Sequence, residues 1–379
     1  MRTSPSPITP VSPATPAIRL RSPGEIVSAV PYLLGFSPVS SLVLLGLSGR
    51  QLTLTCRVDL TDAADEQCSR SVSEALIRSG ADRVLLVAYG SDRAEAAAGI
   101  TEMTTGLDRA GIAAGDRVSV VDDRWFDEDC TDERCCPSTG VAVADHDQAP
   151  STMSFHALAG GYRQDRAAVV AECYPDRPLL TAAIRSEMQR LIGDDREIAD
   201  DDVLTSLLSV LGWGSGETAT PARLALSAVT TADPLVRDVC YAVVAPGMMG
   251  EHRPDLDDIY HPLRLAGAAS GDLDPAGILL DTDARDRVLT RLLAWVRNLP
   301  DDVPAATMPA LVIAAVAHWC AGDGARARTL VERADALDAQ PLPMLETLRA
   351  CIAHGVRPAE LGRLAGDRPG RGRHGRSIA

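Results

Sequence analysis

Between residues 41 and 121 the sequence alternates strand patterns with helical patterns, and this alternation limits the fold more than any other feature. A continuous apolar run is typical of a buried strand, and alternating apolar and polar residues are typical of a strand with one face on the core. Because residues 48–50 form a short turn, the first two strands should pair as a hairpin, whereas helical crossovers should make later strands parallel. The predicted strands are 41–47, 52–58, 83–88 and 117–121.

From residue 179 onward the periodicity is helical almost throughout. Asp233-Pro234 combines an N-cap residue with a proline at the first helical position. Small residues between Trp319 and Pro341 have the spacing of one tetratricopeptide-like helix pair, although an array needs about three such units. The sequence therefore predicts an α/β N-terminal domain with a mixed, partly parallel sheet (18–178), followed by an all-α C-terminal domain with a tetratricopeptide-like helix pair (179–365). Residues 1–17 and the basic residues 366–379 are expected to be a disordered leader and tail.

Charge and residue usage exclude several classes of protein. The chain has 52 acidic and 37 basic residues, so its formal net charge of -15 opposes binding to nucleic acids and to membranes, apart from weak contacts of nucleic acid with the basic tail. Every basic residue is arginine. The lack of lysine excludes Gly-Lys-Ser/Thr phosphate loops, protein-kinase sites, pyridoxal Schiff bases and Ser-x-x-Lys acyl-transfer sites. Because no apolar run approaches the roughly 20 residues that span a bilayer, we expect a cytoplasmic protein.

Three of the nine cysteines, Cys130, Cys135 and Cys136, fall within one acidic stretch. Zinc is one hypothesis, with His146 or His156 as the fourth ligand, although adjacent cysteines seldom both reach one metal ion. A disulfide, a reactive thiolate and simple packing are the alternatives. Seven carboxylates between residues 122 and 133 should raise the thiol pKa values, which argues against a nucleophile. Simple packing is the leading expectation, and zinc is the cofactor hypothesis.

A second candidate site follows from the rule that α/β domains bind ligands outside the carboxyl ends of their parallel strands. Polar residues follow three of the predicted strands, which is also expected simply because strand ends reach water. If the strands run parallel, the cysteine loop begins at the same edge. The candidate ligand-binding residues are Arg57, Asp59, Tyr89, Asp122, Asp123, Arg124 and Trp125.

These patterns lead to three functional hypotheses. The leading one is a binding or regulatory protein, with a small polar ligand in the α/β crevice or a protein partner on the helical domain. The second is a metal-assisted hydrolase that uses Asp59, Asp122 and Asp123, since carboxylate oxygens suit a hard cation such as Mg²⁺. The third is a structural zinc site at the cysteine loop.

Several stretches together resemble one known family. They are PYLLGFSP (31–38), SLV (41–43), RVDL (57–60), Trp125, CTDERCCP (130–137), Gly140, VRD (236–238), GDGA (322–325) and GVRP (355–358). This combination is similar to the actinobacterial family called domain of unknown function 4192, over most of residues 18–360. The resemblance implies a bacterial cytoplasmic protein and supplies no reaction, substrate or catalytic residue.

Overall fold

The computed structural model describes residues 18–159, 161–194, 198–213, 219–245, 257–273, 282–358 and 360. The predicted leader (1–17) and tail (366–379) lie outside the described residues. Six strands form one sheet, and they are β1 (Ser41–Ser48), β2 (Gln51–Asp59), β3 (Arg83–Tyr89), β4 (Ala113–Val121), β5 (Arg124–Asp127) and β6 (Val141–Ala142).

The sheet has the strand order β2-β1-β3-β4-β5-β6. β1 pairs antiparallel with β2, because the turn after β1 makes a hairpin, and it also pairs antiparallel with β3. β3 and β4 are parallel, since a helix connects them, and β5 is antiparallel to both β4 and β6. The predicted mixed, partly parallel sheet is therefore confirmed. The short strands β5 and β6 were not predicted.

The described residues contain fourteen α-helices. None of them is both long enough and apolar enough to cross a bilayer. In chain order they are α1 (Pro23–Leu34), α2 (Glu66–Arg78), α3 (Arg93–Arg109), α4 (Pro150–Ala159), α5 (Arg166–Glu172), α6 (Pro178–Ile192), α7 (Asp200–Leu211), α8 (Pro221–Thr230), α9 (Pro234–Val244), α10 (Asp257–Ala269), α11 (Thr282–Val296), α12 (Pro304–Cys320), α13 (Gly324–Asp335) and α14 (Pro343–Ala353).

The sheet is covered on both faces, as the alternation of side chains along a strand requires. Leu42 and Leu44 of β1 lie in the cluster formed with α2 and α3, whereas Val43 and Leu45 lie in the cluster formed with α1. The second cluster also includes Trp125 of β5. β5 therefore contributes a side chain to the core on the α1 face of the sheet.

The helices from α6 onward share one large hydrophobic core, so the predicted all-α region is confirmed. Its centre is α12, where residues 306–319 are all buried. On the neighbouring helix α13, the fully buried side chain of Arg333 donates hydrogen bonds to three backbone carbonyl oxygens. The tetratricopeptide-like character of the last helices stays a prediction.

The connection between the two regions contains the helices α4 and α5. Asp165 caps α5 by accepting a hydrogen bond from the backbone nitrogen of Ala168 at 2.8 Å, a signal that was present in the sequence. Cys173, directly after α5, belongs to the helical core. Upstream, the backbone nitrogen of Arg163 donates to the carbonyl oxygen of Gly35 at 2.8 Å. Residues 163–173 therefore join the sheet region to the helices, and the predicted boundary at residue 178 stays a prediction.

Candidate functional site

The polar residues predicted at the strand ends share one edge of the sheet. β2 and β3 both run antiparallel to β1, and β4 runs parallel to β3, so these three strands point in the same direction. Their carboxyl ends carry Asp59, Tyr89 and Asp122, and Arg124 begins the returning strand β5. The placement expected from the sequence is therefore observed. Ligand binding at this edge stays a prediction.

Asp122 and Asp123 form the two-residue turn of the β4–β5 hairpin. Their φ angles are +47° and +57°, and the flanking residues Val121 and Arg124 pair with each other. Two successive residues with positive φ give the turn whose twist matches a hairpin. Both aspartates are exposed. Their positions are accounted for by the turn, without a ligand.

Other predicted edge residues are held by contacts within the protein. The Nε atom of Arg57 donates to the hydroxyl of Ser41 at 2.8 Å, and its guanidinium pairs with Asp59 at 2.6 Å. Tyr89 and Trp125 instead pack on the α1 side of the sheet. Within the described residues, neither the Tyr89 hydroxyl nor the Trp125 indole nitrogen has a hydrogen-bond partner. Burial raises the pKa of Tyr89, so its hydroxyl stays protonated.

Three cysteine side chains converge in the loop between β5 and β6. The sulfur atoms of Cys130, Cys135 and Cys136 all lie within 4.8 Å of one another, and those of Cys135 and Cys136 are 3.7 Å apart. Thiolates that bind one zinc ion at about 2.3 Å in a tetrahedron are separated by about 3.8 Å. The cluster therefore has the spacing of three zinc ligands. Within the described residues it is the only such group of three or more Cys, His, Asp or Glu side chains.

A compact turn brings the adjacent cysteines to the same point. The backbone nitrogens of Cys135 and Cys136 both donate to the carbonyl oxygen of Asp132, at 2.9 and 2.8 Å. Cys130 is fixed separately, because its backbone nitrogen donates to the Asp127 carboxylate at 3.0 Å. None of the three cysteines has a positive φ. Adjacent cysteines thus reach one point here without the strain expected from the sequence.

Hydrogen bonds and packing contacts hold this loop against the sheet region. The guanidinium of Arg124 donates to the carbonyl oxygens of Thr139 and Gly140, both at 2.6 Å. Gly140 has a φ of +71°, and a Cβ atom there would lie 2.7 Å from the Phe126 ring. Cys136 packs against the α1-side core. The second half of the loop is therefore anchored to β5 and to the α1-side core.

The loop does not begin at the edge that carries Asp122 and Asp123. The predicted strands β2, β3 and β4 do run in one direction, but the unpredicted strand β5 runs antiparallel to β4 and carries the chain away from the edge. Asp127, at the end of β5, pairs with Val118 in the interior of β4. The cysteines therefore follow a strand that leaves this edge, although Arg124 at the edge contacts the same loop.

The thiol environment opposes nucleophilic chemistry. Burial, followed by hydrogen bonds to the thiols of Cys130 and Cys135, raises the pKa of Cys136 to about 12. The direction agrees with the sequence prediction, but its cause is burial and the neighbouring thiols rather than the acidic residues. A thiol of this kind stays protonated at neutral pH unless a cation stabilises its thiolate. All three cysteines are free, and 3.7 Å is far longer than a disulfide bond of about 2.05 Å.

The two histidines predicted as a fourth ligand lie elsewhere. The His146 ring lies 5.9 Å from the Trp125 ring, and its Nε2 is so close to Gly24 that a Cβ there would be 2.1 Å away. The His156 ring meets the Tyr32 ring edge-on at 6.2 Å. Neither joins the sulfur cluster. A metal ion held by the three thiolates would therefore keep its fourth coordination position for water or an added ligand.

The sheet, α1 and the cysteine loop all fall within one family match. The family described as Domain of unknown function (DUF4192) matches residues 23–263, which is more than half of the chain. The chain belongs to this family. In this DUF4192 protein the match stops before residues 322–325 and 355–358, which also carried the resemblance. No curated protein and no solved structure matches the chain.

The DUF4192 protein also has a polar cavity that was not predicted from its sequence. The cavity has a volume of about 410 Å³, and its lining includes Glu172, Arg297, His318, Asp323 and Arg326. His318 is buried and hydrogen-bonded to Asp323. Nothing in the sequence indicated that Glu172 would meet Arg326, because 154 residues separate them. Such a contact forms only when the helices pack.

Proposed function

We propose that this DUF4192 protein is a zinc-binding protein with a binding or regulatory role. Cys130, Cys135 and Cys136 would hold the ion, and the fourth coordination position would accept water or a small polar ligand. The observation that carries the proposal is the convergence of three sulfur atoms within 4.8 Å. Zinc favours tetrahedral sites with thiolate ligands, and sites with three protein ligands keep one position open.

The thiolate set favours binding over hydrolysis. Three thiolates more than neutralise a divalent ion, so the complex is a weaker Lewis acid than zinc held by neutral imidazoles. The carboxylates of the hydrolase hypothesis have other roles: Asp59 pairs with Arg57, and Asp122 and Asp123 form a turn. The zinc would instead fix the loop between β5 and β6 against the α1-side core, where Cys136 packs.

The setting of the protein is part of the same proposal. Its nine cysteines are free thiols, as expected in a reducing compartment, which supports a cytoplasmic location. The family resemblance and the exclusive use of arginine support an actinobacterial origin. The last helices, with their tetratricopeptide-like spacing, would supply a surface for a protein partner.

The test is elemental analysis of the full chain, purified under reducing conditions without chelators. One zinc ion per chain is expected, with three of the nine thiols protected from a thiol reagent until a chelator is added. Cys135→Ser and Cys136→Ser should each lose the zinc. Cys68→Ser is the matched control, because Cys68 lies on α2 outside the cluster and should leave zinc content unchanged.

A second measurement separates zinc from the other hypotheses for this loop. Replacement of zinc by Co²⁺ should give thiolate-to-cobalt absorption that disappears in the Cys136→Ser variant. Mass spectrometry of the alkylated protein distinguishes a disulfide from protected thiols. Freely reacting thiols with no bound metal, or equal zinc content in the Cys136→Ser and Cys68→Ser proteins, would contradict the proposal.

A further inference from the structure

The polar cavity lies where four helices and the connecting segment meet. Glu172 comes from the end of α5, Arg297 directly follows α11, and His318 lies in the last turn of α12. Asp323 and Arg326 come from the start of α13. A volume of about 410 Å³ falls in the range of roughly 300–1,000 Å³ that is usual for small-molecule sites.

His318 presents a buried nitrogen that has no hydrogen-bond partner in the described part of the chain. Its side chain is 2% exposed, and its Nδ1 lies 3.0 Å from the Oδ2 atom of Asp323. Because a carboxylate only accepts hydrogen bonds, Nδ1 carries the hydrogen of this contact, and in the tautomer with that single hydrogen Nε2 is an acceptor. Within the described residues, this Nε2 atom has no hydrogen-bond donor.

Arg297 provides the complementary group. It lines the same cavity and pairs with Asp176 at 2.6 Å through one terminal nitrogen. Its Nε atom is buried and has no acceptor in the described part of the chain. Buried donors and acceptors without partners are costly, so a site that leaves one of each is suited to a ligand that satisfies both.

The carboxylates around the cavity are already neutralised. Burial alone would raise the pKa of Asp323, but its hydrogen bond and electrostatic interaction with His318, followed by its interaction with Arg326, outweigh burial and lower that pKa. Glu172 accepts hydrogen bonds from Arg326 at 3.0 Å and from Arg163, which likewise lower its pKa despite burial. Both carboxylates are therefore ionised and paired, and they do not oppose an anionic ligand strongly.

A larger cavity, of about 550 Å³, does not offer the same combination. It lies beside the start of α6, and its lining includes Arg185, Asp301 and Asp302. Arg185 pairs with Asp302 at 2.9 Å, and Asp301 pairs with Arg333 at 2.7 Å. The charged groups that line this larger cavity already have partners of opposite charge.

We propose that the cavity between α5, α11, α12 and α13 binds a small hydroxycarboxylate. The carboxylate accepts a charge-assisted hydrogen bond from Arg297 Nε, and the hydroxyl donates to His318 Nε2. Leu289 and Leu293 line the same cavity and contact the carbon skeleton. This site is independent of the zinc proposal, because it shares no residue with the cysteine loop.

The test uses two matched probes, malate and succinate, which differ by one hydroxyl group. Calorimetric titration of the full chain should show that malate binds about fivefold more tightly than succinate, the ratio given by one hydrogen bond of ordinary strength. His318→Asn keeps an amide nitrogen near Asp323 but removes the Nε2 acceptor. In this variant, malate affinity should fall to that of succinate, and succinate affinity should not change.

A second variant tests the carboxylate contact. Arg297→Lys keeps the positive charge beside Asp176 but lacks an Nε donor, so both probes should bind more weakly and by the same factor. Arg190→Lys is the control, because Arg190 lies on α6, is largely exposed and pairs with Glu187. It should bind both probes as the unaltered chain does. Thermal unfolding of each variant verifies that it is folded.

Three results would overturn the inference. The first is failure of malate to bind the unaltered chain at millimolar concentration, and the second is equal affinity of that chain for malate and succinate. Neither needs a variant, so the inference stays testable if His318→Asn does not fold. The third is a preference for malate that survives His318→Asn.

Discussion

Replacement of Arg333 by methionine should destabilise the helical region strongly. The Arg333 side chain is 1% exposed and donates to the carbonyl oxygens of Cys173, Val296 and Leu299 at 2.8, 2.9 and 2.7 Å. It also pairs with Asp301 at 2.7 Å. One side chain therefore holds the end of α5, the end of α11 and the following loop together on α13.

The magnitude follows from these contacts. Methionine fills much of the same space but has no donor, so three buried carbonyl oxygens lose a partner, each at a cost of about 1–3 kcal/mol. Removing the buried guanidinium also removes the cost of its desolvation, which offsets part of this loss. Asp301 is half-exposed and regains water. We expect the free energy of unfolding to fall by about 3 kcal/mol.

The assay is urea unfolding followed by tryptophan fluorescence, since Trp295 is buried in the same core. Arg328→Met on the same helix is the matched control, because Arg328 is exposed and pairs only with exposed Glu332 in the described structure. It should change stability by less than about 0.5 kcal/mol. Equal midpoints for the Arg333→Met and Arg328→Met proteins, with unchanged slopes, would refute the reasoning.

Three further predictions concern the cavity, the cysteine loop and the β4–β5 turn. The pKa of Asp323 is lowered in the folded state, so its ionised carboxylate stabilises the fold above the unfolded pKa of about 3.9. This stabilisation is lost as the pH falls toward the lower folded pKa. In Asp323→Asn, the free energy of unfolding measured against pH should therefore fall less steeply at acid pH. Gly140→Ala should lower both the melting temperature and the zinc content, because the new Cβ atom would clash with the Phe126 ring. Gly49→Ala is the control: Gly49 also has a positive φ, but a Cβ atom there would have nothing within 4 Å, so only the melting temperature should fall. Asp123→Gly should raise stability by up to about 1 kcal/mol, as measured by urea unfolding, because glycine adopts its φ of +57° without strain; a loss would show that the aspartate side chain stabilises the turn.

The strands that could be predicted were those whose pattern is local. β1 to β4 each have seven or more residues with a clear apolar pattern, and the turns and helices between them set the pairing directions. β5 and β6 have four and two residues. Segments this short form strands only when an adjacent strand supplies hydrogen bonds, and the periodicity of a short segment does not reveal which strand will lie beside it.

Prediction of the candidate sites from the sequence was limited in the same way. The three cysteines of the cluster are close together in the sequence, so they could be predicted from it. Whether His146 or His156 supplies a fourth ligand depends on where these histidines pack, which the sequence does not show. The cavity is not local: Arg297, His318 and Glu172 come from different helices. His318 and Asp323 are five residues apart, so their hydrogen bond was within reach of the sequence. The pairing of Glu172 with Arg326 could not be predicted from the sequence.

The two sites also differ in what their occupation would change. The cysteine loop is held to β5 by Arg124 and to the α1-side core by the packing of Cys136, so a bound zinc ion would act mainly on the loop itself. The cavity belongs to a chain of paired charges that runs from Arg163 through Glu172 and Arg326 to Asp323. Arg163 is bonded through its backbone to the end of α1, so a ligand in the cavity acts on contacts that join the sheet to the helices. A ligand in the cavity would therefore act on the junction of sheet and helices, whereas zinc would act on the shape of one surface loop.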